Sequence, residues 1–162
     1  MKAKARILVA IALCFTCLAV LVGCADTSEQ DDAQAKNRQY MSSVNQIMET
    51  LNTNMEGFVT AVKEGEVVSL SSQLSAVDQC VSDLNALDVP DAMSDVHASY
   101  VEGATELQTA LKDYVDLYEE VKAPASGSYD YDDYQERLKD IQSHYDAGIK
   151  ALEEADEAAQ AA

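Results

Sequence analysis

Four segments of the chain place apolar side chains at positions that advance alternately by three and by four. The first runs Met41, Val44, Met48, Leu51, Met55, Phe58, Val62, and the second Val67, Leu70, Leu74, Val77, Val81, Leu84. The third carries Met93, His97, Tyr100, Ala104, Leu107, Leu111, Tyr114, Tyr118 and Val121, and the fourth Tyr134, Leu138, Ile141, Tyr145, Ile149 and Leu152. Such alternation averages about 3.5 residues, the period of helices that pack at small crossing angles. No segment sustains the period of two that a strand requires.

The breaks between these segments set the topology. Lys63-Glu64-Gly65-Glu66 ends the first, where Gly65 suits a left-handed cap. Asp88-Val89-Pro90-Asp91 separates the second from the third. Pro90 fits a first helical turn, and Asp91 and Asp95 favour the positive start of a helix. The longest connection, Lys122 to Asp133, contains Pro124 and Gly127. Asp130, Asp132 and Asp133 supply caps and negative charge for the last helix, whose tail is expected to fray after Leu152. Short connections make neighbours antiparallel. The expectation is an all-α, up-down-up-down four-helix bundle over residues 37–160, with helices at about 37–63, 66–87, 91–121 and 131–158. The structural alternative is a long hairpin that completes its bundle as a dimer; a monomer is the expectation.

The first 24 residues follow a different logic. Lys2, Lys4 and Arg6 precede an apolar run from Ile7 to Val22, and no acidic residue occurs before Asp26. That run is shorter than the roughly 20 residues of a spanning helix. A basic start, a short apolar stretch and small residues at its end read as an export signal. Leu21-Val22-Gly23-Cys24 matches the lipobox at all four positions, and here the chain resembles the bacterial lipoproteins. The resemblance implies cleavage between Gly23 and Cys24, a diacylglycerol on the Cys24 sulfur, and a mature protein on the outer side of the cell membrane. Two acyl chains give stable anchoring where one does not. Residues 24–36 (CADTSEQDDAQAK) lack apolar period and read as the lipidated cysteine followed by a flexible acidic tether.

Removal of the signal changes the composition. Three of the 11 basic residues go with it, leaving 8 against 29 acidic ones and a net charge of −21 rather than −18. That balance excludes nucleic acid as a partner, since a phosphate backbone needs a basic face. It also keeps the domain from lying flat on anionic lipid. Cys14 and Cys17 leave with the signal and Cys24 takes the lipid, so Cys80 alone remains as a thiol. An intrachain disulfide and a four-cysteine metal site are both ruled out by that count.

Catalytic chemistry finds little to stand on. There is no Gly-rich phosphate loop and no GxSxG elbow, and neither His97 nor His144 follows a carboxylate at the Glu-x-x-His spacing of di-iron bundles. Both histidines read as hydrogen-bonded boundary residues. The methionine stripe of the first segment reads as packing, and no cofactor is implied. Tyr129-Asp130-Tyr131-Asp132-Asp133-Tyr134 lacks EF-hand spacing and reads as an acidic helix start. Tyr100, Tyr114, Tyr118 and Tyr145 lie on the helical seams and are the candidate lining of a ligand pocket between helices. The reading is therefore a lipid-anchored, non-enzymatic bundle that works through an envelope protein partner, with a ligand-binding or sensory module as the alternative.

Overall fold

The computed structural model describes residues 28–64, 70–122 and 131–161. They form helices α1 (Ser28–Glu64), α2 (Ser71–Asn85), α3 (Ser94–Lys122) and α4 (Tyr131–Ala161), with a 3-10 turn at Asp91–Met93 leading into α3. No strand occurs among the described residues. The all-α four-helix bundle expected from the apolar period is the fold observed.

Cross-helix pairs give the directions. Gly57 of α1 faces Gln73 of α2, and Gln108 of α3 donates to Asp78 of α2. Along α3 and α4, Tyr100 pairs with Asp156, Glu106 with His144 and Glu120 with Arg137. One number rises as the other falls, so α3 and α4 are antiparallel. Tyr40 pairs with His97 and Phe58 with Tyr114, both numbers rising together, so α1 and α3 run parallel. Up-down-up-down follows.

The core is a continuous apolar cluster drawn from all four helices. Val44, Leu51, Val77, Leu84, Tyr100, Leu107 and Leu111 are at most 2% exposed. Each large aliphatic side chain so buried contributes roughly 1.5–3 kcal/mol relative to exposure. The closest packing is between α3 and α4. Val96, Gly103, Ala110 and Leu117 on α3 and Ile141, Gly148 and Ala155 on α4 are buried at intervals of seven residues. Two of those positions are glycines, and the backbones meet there. A Cβ added at Gly103 would stand 3.0 Å from the carbonyl oxygen of Gly148, and one at Gly148 would stand 2.9 Å from that of Gly103.

Several boundaries differ from the sequence expectation. Helix α1 begins at Ser28, so residues 28–36 are helical rather than a flexible tether. Asp31 and Asp32 in its opening turns complement the helix dipole, and Ala33, Gln34, Ala35 and Lys36 are good helix formers. Residues 31–36 are exposed, and helix is propagated into them from the packed part of α1 rather than held by contacts of their own. The tail after Leu152 does not fray: α4 continues to Ala161 because Ala155 is fully buried and Ala159 packs on the core. Pro90 precedes the 3-10 turn in extended conformation, and its carbonyl accepts from Met93 N–H at 2.8 Å. Helix α2 ends at Asn85, where the N–H of Ala86 turns back to the carbonyls of Ser82 and Asp83. Val121, expected on the seam, is 39% exposed, because α3 has by then passed the end of the packed core. Gly23, Cys24, Gly65 and Val67 lie outside the described residues, as does Asp130.

Candidate functional site

The four seam tyrosines do not share one site. Tyr114, Tyr134 and Tyr145 pack on a small cluster of Ala110, Leu117 and Ile141 between α3 and α4. Tyr118 lies one turn beyond Tyr114 and half-buried. Phe58 of α1 closes on Tyr114 edge-to-face, ring centroids 5.1 Å apart. Burial pushes the Tyr114 phenol up first of all, with Tyr134 and Tyr118 adding to it. Tyr145 is raised by burial and by Asp146.

Tyr100 belongs to the opposite end. It is 1% exposed and donates to Asp156 Oδ1 at 2.6 Å. Fourteen residues of helix separate it from Tyr114, about 21 Å along the axis. It therefore ties α3 to α4 rather than lining a pocket with the other three.

The histidines also join helices. Tyr40 on α1, 4% exposed, meets His97 Nδ1 at 3.1 Å with the rings T-shaped. Burial raises the Tyr40 phenol to about 12 and lowers His97 below its ordinary value. His144 Nδ1 donates to Glu106 Oε2 at 2.6 Å, at a partly exposed boundary between α4 and α3. Both histidines are hydrogen-bonded at the edge of the core, as their place on or beside the seams suggests, but the spacing does not name Tyr40 or Glu106 as their partners. The signal for Tyr40 is its place four residues before Val44, on the same face of α1.

A cleft of about 220 Å³ opens on the flank of α3 and α4, lined by Asp113, Asp116, Arg137, Asp140 and Ile141. None of the four tyrosines lines it. Arg137 is engaged by Glu120, and Asp116 by Lys112. Among the described residues, no three of His, Cys, Asp and Glu converge as metal ligands. No buried polar side-chain atom among them lacks a partner. No described helix is long and apolar enough to cross a membrane.

The fold and these contacts define an all-helical bundle in which Tyr40, Tyr100 and both histidines join one helix to another. Residues 34–152 match the model of a family of unknown function, DUF6376. That span runs from the exposed start of α1 through most of α4, and the chain belongs to this family. No curated protein and no solved structure matches the chain.

Proposed function

We propose that the protein is a lipoprotein of the cell envelope, lipid-anchored through Cys24 on the extracytoplasmic side, and that it acts through contacts with another envelope protein rather than as an enzyme. The observation that carries the anchoring is Leu21-Val22-Gly23-Cys24 at the end of a basic-then-apolar leader. The anchor would sit four residues ahead of Ser28, where the described part of α1 begins. The non-enzymatic reading is supported by polar contacts that bridge helices instead of converging on a reacting atom. The high net negative charge after processing favours a partner with a basic face.

The test is metabolic labelling with an alkyne fatty acid, followed by fractionation. The wild-type chain takes up label and sediments with membranes. Cys24→Ser takes up none and is released or left unprocessed. A processed, membrane-bound Cys24→Ser product would overturn the anchoring. For the partner, in-cell crosslinking of the anchored protein yields one reproducible heteromeric adduct, and recovery of the monomer alone would refute that role.

A further inference from the structure

We propose that the Tyr40–His97 contact is an acid-weakened latch that holds the N-terminal half of α1 to α3. Tyr40 is buried and has no other hydrogen-bond partner among the described residues. With the ring proton on Nε2, the Tyr40 O–H donates and His97 Nδ1 accepts. Protonation at Nδ1 inverts this bond. The imidazolium then donates to the phenol oxygen, and the Tyr40 proton is left without an acceptor in a buried place. An unmet donor is the costly outcome of a lost hydrogen bond.

The position of the latch gives it a local effect. From residue 31 onward Tyr40 is the first buried residue of α1, and residues 31–36 before it are exposed. Weakening this contact loosens the point where the exposed part of the helix enters the bundle. The groups around His97 do not offset the change. Tyr40 is the titratable side chain that α1 presents to it. On α3, Asp95 precedes it by two residues, and Tyr100 three residues on is held by Asp156 of α4. Burial is what lowers His97. The other histidine, His144, lies between α3 and α4 against Glu106 and makes no printed contact with α1. Acid thus loosens α1, while the backbone contact at Gly103 and Gly148 that joins α3 to α4 involves no titratable group.

The experiment is hydrogen exchange read by mass spectrometry on the full chain in detergent, at pH 7.5 and 5.0, with intrinsic rates normalised. Between those values, protection over residues 37–48 falls about three- to tenfold more than over α3 and α4, the loss of one hydrogen bond. His97→Gln keeps an acceptor for Tyr40 but cannot titrate, so it retains the pH 7.5 protection at pH 5.0. Tyr40→Phe keeps the ring and removes the proton, so its acid response is smaller than that of the wild type, leaving only the cost of charging a half-buried His97. His144→Gln responds to acid as the wild type does. A uniform fall across all helices, no fall at all, or an undiminished acid response in His97→Gln would each overturn the latch.

Discussion

Gly103 and Gly148 bring the backbones of α3 and α4 into contact, each glycine lying against the carbonyl oxygen of the other. Added methyl groups have nowhere to go. At Gly103 a Cβ would stand 2.7 Å from Leu152 Cγ and Cδ2, and at Gly148 it would stand 2.8 Å from Leu107 Cγ. Overpacking of this kind costs about 1–3 kcal/mol, against roughly 1 kcal/mol gained from helix propensity. Gly103→Ala and Gly148→Ala are therefore expected to lower the denaturant midpoint. Gly57→Ala is the control, because its Cβ meets Gln73 only at an ordinary 3.8 Å. It should stabilise by about 0.5–1 kcal/mol. Equal effects at the three positions would contradict the close approach.

Tyr100→Phe leaves the ring in place and removes the donor to Asp156. Hydrogen bonds to charged groups contribute about 1.5–3 kcal/mol. The variant should lose about that much by chemical denaturation. Asp156→Asn should lose less, since an amide oxygen still accepts. The pair should fail the additivity test of a double-mutant cycle.

Alkaline stability should follow Tyr40. Its phenol is raised from 10.0 to about 12 by burial, so the folded state disfavours the phenolate. The contribution is complete below pH 10 and is lost as pH rises through about 12. Tyr40→Phe should flatten the fall in melting temperature over that window. The same steep fall in the variant would mean that another group controls it.

Cys80 is 3% exposed, and its thiol is raised from the ordinary value by burial and then by Asp83. Both effects suppress the reactive thiolate. Alkylation of the folded protein at pH 8 should proceed only through opening of α2, and adding denaturant should speed it by orders of magnitude. A disulfide between two copies would need the same opening. Rapid labelling under native conditions would place Cys80 at the surface.

Much of the fold is legible in the sequence because large apolar residues mark their own face. Val44, Leu51, Phe58, Val77, Leu84, Leu107 and Leu111 lie on the stripes and are all buried. The tight face of α3 and α4 is harder to read. Gly103, Ala110, Gly148 and Ala155 carry little hydropathy, so the seam of larger residues conceals them. Their signal is the step of seven between small residues, which a search for bulk passes over. On α4 the consequence is that Leu138, Tyr145, Ile149 and Leu152 are only half-buried while the small residues lie innermost. The tyrosines illustrate a second limit. Helical spacing assigns Tyr100 and Tyr114 to one face and sets them about 21 Å apart along α3, but it does not reveal which partner each meets across the bundle. The role proposed for Cys24 is legible for a different reason: it rests on the immediate neighbours, Leu21-Val22-Gly23, rather than on packing.

Helix α1 runs unbroken from Ser28 to Glu64, close to 56 Å of continuous backbone. A loose chain would pass on only a distance limit, leaving the bundle free to swivel. A rod also passes on a bearing. Whatever precedes Ser28 is joined to Val44, Leu51 and Phe58 by one stiff axis, so a tilt at one end becomes a sideways displacement at the other.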